Sequence, residues 1–224
     1  MANVIGVFGE SGSGMTTSLE TLDPATTYIV NSDKKRLPFS KELRAKYIQN
    51  KDPKVSNYYV TDNQENVLKC LKFINSNEDA KRFKVVVIDT INGIMVADEA
   101  RRRKEKNYDK WSDLAWAVYD IIDYALTMRD DLTVILMAHV QLDRDDDGYK
   151  FAHIKTSGKK LDKIGIETKL TTVLYSKAVP DGDSVKYVFE TKAINSTAKT
   201  PKGAFDQLQI PNDMKAVIDR LEEF

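Results

Sequence analysis

Asn3-Val4-Ile5-Gly6-Val7-Phe8-Gly9-Glu10-Ser11-Gly12-Ser13-Gly14-Met15-Thr16-Thr17 decides the fold. Its first six residues are apolar on both faces, as a buried parallel strand is. The strand runs into a glycine-rich turn that matches the phosphate-loop pattern at every specified position but one, for Met15 stands where that pattern has lysine. Glycines let such a backbone adopt positive φ and turn its amides toward an anion, and a helix expected to follow adds partial positive charge. Thr16 offers a hydroxyl to a magnesium ion, and Thr17 can approach an α-phosphate. The expected phosphate-binding set is therefore Gly9, Glu10, Ser11, Gly12, Ser13, Gly14, Met15, Thr16 and Thr17. A plain Gly/Ser turn before an ordinary helix is the competing reading, and the rest of the chain weighs against it.

Outward from the loop, residues 27–31, 58–61, 83–88 and 132–138 read as strands, and residues 63–74 and 111–127 as helices. In the second helix Leu114, Ala115, Val118, Ile121, Ile122 and Ala125 recur at helical spacing, with Asp113, Asp120 and Asp123 outside the stripe. Strands alternating with helices imply a mostly parallel α/β sheet with helices on both faces. The run Val85-Val86-Val87-Ile88-Asp89 ends in a carboxylate suited to hold magnesium opposite Thr16. Beyond residue 140 the pattern changes. Asp147-Gly148 and Asp181-Gly182 mark turns, the second joining residues 171–178 and 184–191 as an antiparallel hairpin, and a last helix presents Met214, Val217, Ile218 and Leu221 on one face. No repeat, linker or low-complexity tract interrupts the chain, so residues 1–224 are expected to form one domain.

Catalytic candidates follow from position. His139 and Gln141 end the strand at 132–138, where His139 is either a sensor of the γ-phosphate or simply a hydrogen-bonded strand end. No glutamate closes the second strand. Asp33 is the nearest carboxylate there and the candidate to orient water; Glu99 is weaker, since a helical ion pair to Arg103 explains it equally well. Met15 reaches as far as lysine but carries no charge, so nucleotide binding is expected to weaken and hydrolysis to suffer more. An introduced lysine-to-methionine change and a natural protein that lost or relocated the role both explain it.

These residues resemble the RecA-type branch of phosphate-loop ATPases, and more closely the short, single-domain RecA-like ATPases that phages encode among their recombination genes. The likeness rests on Gly9 to Thr17, on Val85 to Thr90, on Met137-Ala138-His139-Val140-Gln141, and on Phe189-Glu190-Thr191 through Ala198 to Phe205. It implies a RecA-like core using ATP and Mg2+ that self-associates head to tail into a ring or filament and binds single-stranded DNA. A phage single-strand-binding protein is a further partner it suggests. In such assemblies a basic residue from the neighbouring subunit completes the site, and Lys199 and Lys202 fall where it is expected; two solvated loop lysines are the alternative. The resemblance also implies a phage protein working in the cytoplasm of a bacterial host.

Composition bounds these readings. The 224 residues carry 34 Lys plus Arg against 34 Asp plus Glu, a zero balance that argues against a uniformly basic nucleic-acid binder but not against local patches. No apolar run approaches the roughly 18 residues that span a bilayer, so no membrane association is expected. Cys70 is the single cysteine, which excludes an internal disulfide and a cysteine-built metal site. The densest basic stretch holds Arg101, Arg102, Arg103, Lys104, Lys106 and Lys110, with Tyr108 and Trp111 interleaved, and a second run, Lys155 to Lys163, holds Lys155, Lys159, Lys160 and Lys163. Basic tracks with aromatic platforms suit single strands. A solvated helix end balanced by Asp98, Glu99, Glu105 and Asp109 is the other reading. A small-molecule phosphotransferase fits less well, for its Arg-rich lid does not belong directly after the magnesium strand. One terminal helix is also too little for the helical lid of a ring remodeller.

Overall fold

The computed structural model describes residues 1–105, 109–144, 148, 150–156 and 165–224. Strands β1 (Asn3–Gly9), β2 (Thr27–Asn31), β3 (Tyr58–Val60), β4 (Val85–Asp89), β5 (Thr133–Arg144) and β7 (Thr172–Asp181) lie in the order β3-β2-β4-β5-β1-β7, every neighbour parallel. β8 (Ser184–Glu190) and β9 (Gln209–Pro211) continue the sheet antiparallel beyond β7, and β6 (Lys150–Ile154) pairs antiparallel with the outer half of β5. This is the expected RecA-like core, with its antiparallel hairpin at the C-terminal end. β5 separates the loop strand from the Asp89 strand, so a ligand between them lies over the carboxyl ends of the strands, where open α/β sheets bind.

Both faces of the sheet are covered. Along β1, Val4 and Phe8 join one apolar cluster while Ile5 and Val7 join the other; Val86 and Ile88 alternate with Val85 and Val87 in the same way on β4. The first face packs against α2 (Gln64–Ser76), α3 (Ile91–Arg101) and α4 (Asp109–Thr127) through residues such as Leu71, Ile94 and Ile121. The second is closed by Leu19 after the loop and by Met214, Val217 and Ile218 of α5 (Met214–Glu222). A helix α1 (Lys41–Arg44) precedes β3.

Three expectations need correction. The segment after the loop is a six-residue 3-10 helix, Thr16–Thr21, rather than an α-helix. Thr16, Thr17 and Ser18 favour helix weakly, Ser18 Oγ bonds back to the Met15 carbonyl at 2.6 Å, and Pro24 follows closely. The dipole expected behind the loop is thus much reduced. β5 runs six residues past Ala138 because β6 pairs with it through Arg144. In the last hairpin Asp181 pairs with Ser184, so the turn is Gly182-Asp183, with φ +60° at Gly182. Of the other expected turn, Gly148 has φ +83° and Asp147 lies outside the described residues. No helix among the described residues is long and apolar enough to cross a membrane.

Candidate functional site

The loop leaves β1 at Gly9, which pairs with His139 on one side and Ser176 on the other. Gly12 and Gly14 take φ of +83° and +88°, conformations that side chains rarely adopt. The amides of Ser11, Gly12, Gly14 and Met15 have no acceptor among the described residues, which leaves them free for an anion. The loop is braced from β7: Ser176 Oγ donates to the Ser13 carbonyl at 2.8 Å and accepts from Asn212 at 3.1 Å. Tyr187 of β8 lies so close to Gly14 that a Cβ there would meet its ring at 2.8 Å. The Ser13 hydroxyl is buried and without a partner among the described residues.

Thr16 donates its hydroxyl to Asp89 Oδ2 at 3.0 Å, across 73 residues of chain. Burial pushes the Asp89 carboxyl up to about 6, with the Thr16 bond opposing and the nearby Asp33 charge adding. A buried carboxylate beside a hydroxyl, short of positive charge, is a donor set that suits a hard divalent cation. Together with the orphaned Ser13 hydroxyl and the free loop amides, it fits a magnesium nucleotide.

Asp33 stands just past the end of β2, beside β4. It accepts from Thr90 Oγ1 at 3.0 Å and from Lys35 Nζ at 2.6 Å, and His139 Nε2 lies 3.8 Å from its Oδ2. Gly93 makes this possible, for a Cβ there would sit 2.6 Å from Asp33 Oδ1. Burial lowers the basicity of His139; Asp33 opposes this, and Lys35 and Lys155 reinforce it. A neutral imidazole at neutral pH follows. Asn92 ties the strand ends together, accepting from the His139 amide at 2.7 Å and donating to the Lys155 carbonyl at 2.9 Å.

Residues 1–201 match the AAA domain family (AAA_24). The chain belongs to this family. As an AAA domain it is a phosphate-loop, nucleotide-binding ATPase fold, in agreement with the loop and the Thr16 to Asp89 contact. No curated protein matches it. Among solved structures, the flagellar accessory protein FlaH from Methanocaldococcus jannaschii is similar, at 15% identity and a TM-score of 0.47 over 93% of this chain and 83% of that one. A KaiC-like protein from the archaeon Pyrococcus horikoshii OT3 is similar too, at 15% identity and a TM-score of 0.41 over 84% and 77%.

The AAA domain brings together Gly9 to Thr17, Asp33, Asp89 and His139, and departs from expectation elsewhere. Met15 is only 8% exposed and belongs to the apolar cluster of Ile5, Val7 and Leu19, so its side chain is a core anchor and not part of the phosphate cradle. Gln141 donates to both oxygens of Asp143, which also binds His153 at 2.9 Å. It therefore belongs to the β5–β6 hairpin. Lys199 exchanges backbone bonds with Val173, the partner of Gly6, three residues or roughly 10 Å below the loop level. Neither it nor the adjacent Lys202 is brought to this chain's own loop.

Of the basic stretch, Arg101 is bound to Asp62, and Arg102 to Glu105 at 2.8 Å and Asp113 at 2.7 Å. Arg103 and Lys104 are exposed, and their side chains have no partner among the described residues. No ion pair joins Glu99 to Arg103 there either. Lys106, Tyr108, Lys159, Lys160 and Lys163 lie outside the described residues, as do the side chains of Lys110 and Trp111. Sequence reasoning missed Lys35 and Asn92, named Thr90 without a role, and assigned Lys155 to the second basic run rather than to this site. Lys35 had a signal, a Lys34-Lys35-Arg36 run at the carboxyl end of a parallel strand; Asn92 had none, and the basic run gave no hint that β6 carries Lys155 beside His139.

Proposed function

We propose that the chain binds MgATP at the Gly9 to Thr17 loop and works as an oligomeric ATPase on single-stranded DNA in phage recombination or annealing, hydrolysing slowly. The observation that carries this is the Thr16 hydroxyl on the Asp89 carboxylate at 3.0 Å, at the mouth of a loop whose amides are free. Thr16 and Asp89 would hold the magnesium ion, which supplies charge neutralisation on the phosphate oxygens. The loop amides hold the phosphates. Asp33, fixed by Thr90, would orient water, and the neutral His139 lines the cavity beside the loop.

The DNA part of the reading is supported by exposed Arg103 and Lys104 at the end of α3, and by Trp116, 51% exposed and edge-on to Tyr119 on α4. Oligomer formation, a trans role for Lys199 and Lys202, and a phage single-strand-binding protein as partner belong to the same proposal. A second reading, a nucleotide switch that hydrolyses nothing, is favoured by one observation: the loop position that normally supplies charge is apolar and buried. ATP binding and turnover, measured with and without magnesium and saturating single-stranded DNA, decide between them. Magnesium-dependent binding with DNA-stimulated turnover is expected. Binding without turnover selects the switch, and no MgATP binding sinks both.

A further inference from the structure

A cavity of about 560 Å³ is lined by Gly9, Glu10 and Ser11 at the start of the loop and by Lys35, His139 and Lys155. We propose that Lys35 and Lys155 supply, from the strand-end side, the positive charge on the terminal phosphates that the loop itself lacks at Met15. The inference rests on the nucleotide reading above and deepens it.

Each lysine is placed by bonds that leave its ammonium available. Lys35 is 68% exposed and anchored by one contact, 2.6 Å to Asp33 Oδ2. An ammonium carries three donors, so two remain for an anion in the cavity. Lys155 is fixed through its backbone: its amide donates to the His139 carbonyl at 2.7 Å and its carbonyl accepts from Asn92 at 2.9 Å. Since His139 pairs with Gly9, this pins Lys155 within one strand of the start of the loop. Its ammonium has no ion pair among the described residues.

The local electrostatics agree. Both ammoniums depress the basicity of His139, which lines the cavity between them and the start of the loop. Met15, in contrast, is packed among apolar side chains. On this side of the loop the positive charge comes from two residues distant in sequence, after β2 and after β6; Lys177 of β7 lines the opposite side of the loop but is bound to Glu190 at 2.9 Å. Phosphates held between the loop amides and these ammoniums would be clamped from both sides. ATP carries one more phosphate, and more negative charge, than ADP, so added ammoniums beside the loop should favour ATP over ADP.

Dissociation constants for MgATP and MgADP, measured by calorimetry on the full chain, test this. Lys35→Met and Lys155→Met are each expected to weaken MgATP binding by about tenfold or more, with a smaller effect on MgADP. The double variant should lose most of its preference for ATP. Lys155→Arg should retain it, and Lys46→Met, an exposed lysine elsewhere, should bind as the unaltered protein does. Unchanged melting temperatures without nucleotide would establish that the variants fold. MgATP binding by the unaltered protein, with both single variants and the double variant binding equally well, overturns the inference and leaves the nucleotide reading standing. Absence of MgATP binding by the unaltered protein overturns the nucleotide reading itself.

Discussion

Replacing Met15 by lysine restores the missing residue of the phosphate-loop pattern, yet the structure gives that change a cost. Met15 is 8% exposed within the cluster of Leu19, Ile5 and Val7. Truncating a buried methionine to alanine costs about 2 to 5 kcal/mol. A lysine keeps its methylenes against the cluster but must lift its ammonium to water. Without ligand the Met15→Lys protein should therefore lose about 2 to 4 kcal/mol. For a chain of this size that lowers the melting temperature by about 4 to 15 °C. Met15→Leu, close in volume, should lose less than about 1.5 kcal/mol. Thermal and urea unfolding in EDTA measure both. Adding MgATP should recover more stability in Met15→Lys than in the unaltered protein, because the lifted ammonium then meets phosphate, and turnover should rise with it. A ligand-free Met15→Lys protein within about 0.5 kcal/mol of the original would refute the placement of Met15 in the core.

Asp89→Asn should abolish stabilisation by MgATP while leaving the ligand-free protein as stable or more so. The Asp89 carboxyl sits at about 6 in the fold against an ordinary 3.8, so its contribution is fully present below about pH 4 and is lost as pH rises through about 6. The asparagine variant should lack that component in denaturation curves taken across this range without divalent ions; a curve identical to the original's would contradict the burial. Gly93→Ala should displace Asp33, since the added Cβ would stand 2.6 Å from its Oδ1, and reduce turnover at least tenfold with a smaller change in MgATP affinity. Unaltered turnover would remove Asp33 from the mechanism. Reversing charge at Arg103 and Lys104 should weaken single-stranded DNA binding and flatten the slope of log K against log salt by about 1.4, at ~0.7 per phosphate contact on single strands. The same changes at Arg101 and Arg102 should act partly through lost ion pairs and lower stability as well. Lys199→Ala should slow turnover and recover in mixed assemblies with intact subunits; failure to recover argues against action across a subunit boundary.

How much of this could be read from residue order differs by element. The strands on either side of the site were legible because each is buried on both faces and ends in a chemically distinctive group: Gly9 after β1, Asp89 after β4, His139 on β5. β6 and β9 were not, because Lys150-Phe151-Ala152-His153-Ile154 and Gln209-Ile210-Pro211 are short and their pairing is decided by partners far along the chain. The 3-10 segment after the loop shows the limit of motif reasoning: the pattern implied a helix, while three hydroxyl-bearing residues and a nearby proline shortened it. Met15 was misjudged for a related reason. A motif assigns a side chain to the ligand, but here the local backbone turns it into the cluster beneath the loop. The charge on Arg101 and Arg102 was legible and its availability was not, since Asp62 and Asp113 reach them only in the folded chain.

The 3-10 segment also bears on the order of assembly. Thr21 Oγ1 donates to Asp213 at 2.7 Å and accepts from the Lys215 amide at 3.3 Å, so the segment is moored to the start of α5, 192 residues away. Asp213 simultaneously caps that helix through the Ala216 amide at 3.1 Å. A chain emerging from the ribosome presents this segment 192 residues ahead of its mooring. The backing of the phosphate site thus waits for α5, and a nascent chain lacking α5 should hold nucleotide poorly even with every loop residue already made.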